Sequence, residues 1–127
     1  MSSINKDRIV YFLMSVREKT FTYIGQTICI HERFPQHNSG HGSLDTCPNN
    51  LPPYTLMAYI CGSRLEDKEF RLRLERKWKI HRDSLIFMNN NDPRAWAKEA
   101  GQRTINEAIQ THQASKHELK LVLLYNV

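Results

Sequence analysis

The sequence predicts an α+β fold, with a small central antiparallel β-sheet flanked by helices and an added C-terminal helix and strand. Three observations carry that prediction. Residues 8–15 are apolar and β-branched, Arg17-Glu18-Lys19 breaks them off, and Thr20-Phe21-Thr22-Tyr23-Ile24 alternates as a returning strand does. Tyr54 to Cys61 is a short, wholly apolar run ending at Gly62, which reads as a third, central strand. Phe70, Leu74 and Trp78 recur every four residues, the mark of one apolar stripe on a helix.

In chain order, a polar arm runs to about Asp7 and leads into a hairpin that carries Tyr11 and Tyr23 and ends at Gly25. Thr27 has the chemistry of a helix N-cap, so a helix is predicted from near Ile28. An interior proline loses a backbone hydrogen bond and clashes with the turn before it, so Pro35 predicts that this helix stops or kinks by Phe34. Residues 35–53 then hold four prolines, two glycines, three asparagines and two serines with no periodicity. A loop of that kind in a compact domain is functional or mobile. It starts beside Arg33, and its small-residue run Ser39-Gly40-His41-Gly42-Ser43 would let backbone N–H groups approach a ligand.

A second helix is predicted over residues 64–82, with His81 close to the apolar stripe and Glu75 beside it, flanked by Arg71 and Arg82. Between residues 70 and 82 six Lys or Arg stand against one acid, Glu75, which favours a phosphate-facing surface. Asn89-Asn90-Asn91 reads as a turn, and Asp92-Pro93 as a cap followed by a first helical position. Trp96, Ala97 and Ala100 give an apolar face before Gly101. Ile105, Ala108, Ile109 and His112 continue it, in a new helix or past the glycine. Leu119 to Tyr125 closes as a strand.

A chain of 127 residues is read as one domain, large enough to bury roughly two-thirds of its unfolded surface. The net charge of +5 suits a polyanionic partner and equally suits a plain basic protein. Three cysteines leave at least one unpaired, and no signal-like or membrane-length apolar segment is seen. The expectation is a reduced intracellular protein, cytoplasmic or nuclear, with no membrane partner. Cys29, His31, His41 and Cys47 lack the paired spacing of a tetrahedral zinc site and read better as thiols and loop histidines.

Tyr23-Ile24-Gly25, with Ile9-Val10-Tyr11 before it and Arg33 after it, resembles the signature of the GIY-YIG nuclease superfamily. The second half matches letter for letter and the first half in its tyrosine, with Ile9 replacing the first glycine. His37-Asn38 fits the family's His-Asn, and Leu74-Glu75 fits its glutamate helix. The resemblance covers roughly residues 8–91, leaving 92–127 as a C-terminal addition. Its specificity lies in the order and spacing of all the pieces together.

The resemblance implies a metal-dependent endonuclease that hydrolyses DNA phosphodiesters. Tyr11 would be the general base or orient the attacking water, and Tyr23 would hold the phosphate or assist Tyr11. Arg33 would neutralise the scissile phosphate, and His37 would contact phosphate or shuttle a proton. Glu75 would bind one Mg²⁺ or Mn²⁺. A hard cation held by one carboxylate takes its other ligands from water and substrate, so no three-acid cluster is required. Gly25, His41, Arg71 and Asn90 are the expected substrate-binding positions, Asn90 being the pick among Asn89, Asn90 and Asn91 for the family's late asparagine. Taken singly, the tyrosines read as core aromatics, His37 and His41 as loop histidines, Glu75 as a solvated ion-pair member and Asn90 as a turn residue. The competing reading is a non-catalytic nucleic-acid-binding module with the same fold, and behind it a protein-interaction domain. The sequence is compatible with a monomer or a homodimer.

Overall fold

The structure, a computed structural model, describes residues 8–38 and 53–124. Strands β1 (Ile9–Ser15), β2 (Thr22–Thr27), β3 (Tyr54–Cys61) and β4 (Lys120–Leu123) accompany helices α1 (Ile30–Asn38), α2 (Lys68–Phe87) and α3 (Pro93–Gln110). The strands form one antiparallel sheet in the order β2-β1-β3-β4, so the α+β prediction holds and the C-terminal strand lies at an edge.

The turn of the hairpin is longer than its sequence suggests, and β2 correspondingly begins and ends later. Ser15 N–H donates to Phe21 O and Phe21 N–H to Glu18 O, while Ser15 Oγ accepts from Glu18 N–H. Those bonds draw residues 16–21 into the turn and leave β2 running through Gly25 to Thr27. In this register Tyr11 lies between Gly25 on β2 and Tyr59 on β3. A register shift between Phe12 and Leu13 re-aims the following half of β1 against β3.

Three helix boundaries depart from expectation, each for a local reason. Thr27 does take up a backbone donor, the Cys29 N–H at 3.0 Å, but the first intrahelical bond runs from Arg33 N–H to Cys29 O, so Cys29 is the cap position and α1 starts at Ile30. Pro35 does not stop α1, which continues to Asn38. Its missing N–H would have served the carbonyl of His31, and both residues are exposed, where water serves that carbonyl instead. Asp67 accepts from the N–H groups of Glu69 and Phe70, which sets the start of α2 at Lys68, and residues 63–66 form a separate 3₁₀ turn. The helix runs on to Phe87 because Leu85 still reaches the core; Asn89, with φ of 64°, ends it.

Asp92 caps α3 through the Arg94 N–H and Pro93 occupies its first turn, as predicted. The helix passes straight through Gly101, where a Cβ would lie 3.1 Å from the Trp78 ring. The glycine lets α3 close on α2. The sheet divides the interior. Val10, Phe12, Ile24, Ala58 and Ile60 pack against Phe70, Leu74, Trp78, Trp96 and Ile105 on the α2/α3 side. Ile9, Tyr11, Leu13 and Tyr54 gather on the α1 side with Tyr23, Ile30 and Phe34.

Candidate active site

Strand alternation turns Tyr11 to the α1 side, and α1 lays His37 over it. Both are fully buried, and the Tyr11 hydroxyl lies 2.7 Å from His37 Nε2. Tyr23 completes the group, its ring centroid 4.8 Å from that of His37 and 6.1 Å from that of Tyr11. Gly25 makes the approach feasible. A Cβ there would stand 2.7 Å from the Tyr11 hydroxyl and 2.8 Å from Tyr23 Cε2, so any other residue must displace a ring. The glycine of the motif is therefore a space requirement set by two tyrosines.

Arg33 precedes His37 by four residues, which puts both on one side of α1. Its Nη1 donates to Gln36 Oε1 at 3.2 Å. Burial, reinforced by Tyr23, pushes the Tyr11 hydroxyl well above the ordinary tyrosine value, and the nearby Arg33 guanidinium works against that rise. Burial first, then Arg33, lowers His37 to about 4. At neutral pH the pair is thus an uncharged phenol and an uncharged imidazole, and in the Nδ1-protonated tautomer Nε2 accepts the phenol hydrogen.

Glu75 comes to this group from the other side of the sheet. Helix α2 lies along the edge strand β2, with Arg71 Nε donating to Gln26 Oε1 at 3.0 Å and Arg82 Nη1 to Thr22 Oγ1 at 3.3 Å. Between those two arms Glu75 is half-buried, its carboxylate 2.8 Å from Lys79 Nζ. It stands near enough to Tyr11 for its charge to contribute to the raised phenol value. Among the described residues no three His, Cys, Asp or Glu side chains cluster. Glu75, one carboxylate among cations, is a donor set that fits a single hard ion with water and phosphate completing its shell.

A family model described as the GIY-YIG catalytic domain matches residues 8–91 of the 127-residue chain. The chain belongs to the GIY-YIG family. That family is one of nucleases, and the GIY-YIG match spans every strand and helix that carries Tyr11, Tyr23, Gly25, Arg33, His37 and Glu75. Against curated proteins the chain finds no match.

Of the remaining expected positions of this GIY-YIG domain, Arg71 and Asn90 are engaged in other contacts. Arg71 is only 4 % exposed, and its Nη1 donates to Leu65 O at 2.7 Å, so its guanidinium ties the 3₁₀ turn to β2. Asn90 works in the α2–α3 connection: Oδ1 accepts from Asp92 N–H, and its carbonyl accepts from Trp96 Nε1 at 2.8 Å. No hydrogen bond or ion pair among the described residues joins either to the tyrosine–histidine group. His41 lies outside the described residues, as does most of the proline- and glycine-rich loop over residues 35–53.

Tyr54 is a neighbour that sequence reasoning missed. Its ring packs edge-on to His37 at 6.5 Å, and its hydroxyl is buried without a hydrogen-bond partner among the described residues. Asn38 Oδ1 holds its backbone N–H at 2.6 Å, so the residue after His37 pins α1 to the start of β3. The only sequence signal was an aromatic residue heading the third strand.

Proposed function

We propose that this protein is a metal-dependent DNA endonuclease, a phosphodiester hydrolase in which Tyr11 is the general base. The observation that carries the reading is the buried Tyr11–His37 hydrogen bond, with Tyr23 against it and Arg33 and Glu75 within electrostatic reach. A phenol held above its ordinary value does not take a proton from water unaided. Two things supply the drive. Arg33 already counteracts the rise, and His37 Nε2 stands ready to take the phenol hydrogen. As the attacking water gives a proton to Tyr11 Oη, the original Tyr11 proton passes to His37. The water oxygen then bonds to phosphorus while the opposite P–O bond breaks, and the departing oxygen takes a proton from solvent.

Arg33 binds the non-bridging oxygens, on which negative charge accumulates. Tyr23, half-buried at the mouth, orients the phosphate. Gly25 brings backbone close to it, and His41 and Asn90 remain proposals for the flanking nucleotides. When bound by Glu75, Mg²⁺ or Mn²⁺ supplies Lewis-acid stabilisation of the departing oxygen. Displacing Lys79 frees the carboxylate for that task.

The competing reading, a nucleic-acid-binding module without catalysis, draws on that same ion pair, which keeps Glu75 occupied at 2.8 Å. Plasmid and branched DNA incubated with Mg²⁺, Mn²⁺ or EDTA separates the two. Wild type should cut with either metal and not with EDTA, and Glu75→Ala should bind DNA undiminished while cutting at a rate lowered by ~10³ or more. Cleavage by Glu75→Ala at near wild-type rate would remove the metal assignment.

A further inference from the structure

On the flank of α2 turned away from β2, a cavity of about 160 Å³ opens between α2 and α3. Its floor is the buried Leu74, Thr104 and Ala108; its mouth carries the exposed Arg73, Arg76 and Lys77. The Thr104 hydroxyl donates to Ala100 O at 2.8 Å, so its hydrogen is not offered to a ligand, and Leu74 and Ala108 make the rest of the floor apolar. That volume matches a cavity able to hold a benzene-sized group.

The charge at the mouth is uneven. Glu107 is the acid there, and its carboxylate is already shared between His81 at 2.9 Å and Lys77 at 3.4 Å. Arg73 and Arg76 have no carboxylate partner among the described residues. Two arginines without counter-charges among the described residues thus line the rim of an apolar hole, the Arg73 guanidinium 5.8 Å from the Phe70 ring. Neither takes part in the contacts of α2 with β2, which run from Arg71 to Gln26 and from Arg82 to Thr22, nor in the contact of Lys77 with Glu107 on α3.

We propose that this cavity is a docking site for an acidic segment of a partner protein, seated by one aliphatic or small aromatic side chain with acidic neighbours on Arg73 and Arg76. A phosphate backbone would use the cations and leave the apolar floor empty. A second copy of this chain brings the same +5 charge to a positive rim. A peptide with an apolar anchor between acids uses both features, in the manner of a segment laid in a groove. The proposal stands independently of the nuclease assignment, since it uses no residue of that site.

Three fluorescein-labelled heptapeptides test it by anisotropy on the full chain: leucine flanked by three acids on each side, serine in the same acidic frame, and leucine in a glutamine frame. Burying a leucine side chain predicts that the first binds about 10-fold or more tighter than the second. The third should bind weakest. Arg73→Glu/Arg76→Glu, and Arg76→Gln alone in case the double variant folds poorly, should each weaken the first peptide, with melting temperature as the control for folding. Equal binding of the leucine and serine peptides would overturn the proposal, as would no saturable binding of the leucine peptide. Displacement of that peptide by a short DNA duplex would reassign the site to nucleic acid. A sedimenting dimer that excludes it would reassign it to self-association.

Discussion

The two faces of the sheet use the same strand in opposite ways. Toward α2 and α3, β1 turns Val10 and Phe12 into a core of aliphatic side chains and two tryptophans with their polar atoms satisfied. Toward α1 it turns Ile9, Tyr11 and Leu13 into a second layer that buries the Tyr11 hydroxyl against His37 and leaves the Tyr54 hydroxyl without a partner among the described residues. The cover differs as well. One face carries two long capped helices, the other a nine-residue helix with a proline inside. A single alternation of side chains therefore separates the larger apolar core from the layer that holds the Tyr11–His37 pair, while Glu75 stands on the α2 side. Burial displaces the titration of Tyr11 and His37, and groups displaced in this way cluster at functional sites.

The contrast breaks most sharply at Tyr11. Tyr11→Phe should lower the single-turnover cleavage rate by ~10²–10⁴ with affinity little changed, because the ring still packs and only the proton path is lost. A structural tyrosine would show the reverse, a lowered melting temperature with unchanged activity per folded molecule. The mirror experiment is Trp78→Ala on the other face. Trp78 is fully buried, stacks on Phe12 at 5.6 Å and donates Nε1–H to Trp96 O at 3.1 Å. Its loss should cost about 3–5 kcal/mol in urea unfolding, with activity following only the folded fraction.

A smaller effect is written in pH. His37 is held at about 4, below the 6.5 of a free histidine, so the folded state favours its neutral form. Stability from that shift is complete above about pH 6.5 and drains away as pH falls toward 4, about 2–3 kcal/mol in all. His37→Gln should flatten the stability curve across that window while leaving the curve above pH 7 level. The smallest effect has the opposite sign. Tyr54→Phe removes a hydroxyl that has no hydrogen-bond partner among the described residues, and should stabilise the fold by about 1 kcal/mol, measured by thermal melt, since it deletes a desolvated group that none of them repays. A loss of stability would mean that the hydroxyl has found a bond.

Much of this was legible in the residues because order and spacing survive folding. Tyr11, Tyr23, Gly25, Arg33, His37 and Glu75 are expected at one site; strand pairing and α1 bring Tyr11, Tyr23, Gly25 and His37 into contact, and Arg33 and Glu75 come within electrostatic range of Tyr11. What failed to show was anything decided by direction in space. A cation on an amphipathic helix looks the same whether it meets solvent, as Arg76 does, or folds back on the preceding turn, as Arg71 does. Pro35 gives the same breaker signal whether or not the carbonyl it abandons is hydrated. Tyr54 reaches His37 only after Asn38 has tied the two elements together, a contact across 16 residues that no local pattern encodes.

Gly101 and the closing strand reach further than their local packing. The family match ends at residue 91, yet α3 begins at Pro93 and contributes Trp96, Ala97, Ala100 and Ile105 to the same core that Phe12 and Trp78 occupy. β4 pairs with Ala58 to Cys61 and covers an edge of β3 that would otherwise be open along its length. Gly62 is locked in place there, since a Cβ would collide with the carbonyl of Glu118. A chain cut where the recognisable motif stops would bare a tryptophan and present an unpaired strand to its neighbours, the ordinary route to aggregation. The border that homology draws and the border that folding draws are different lines here, and the protein divides only along the second.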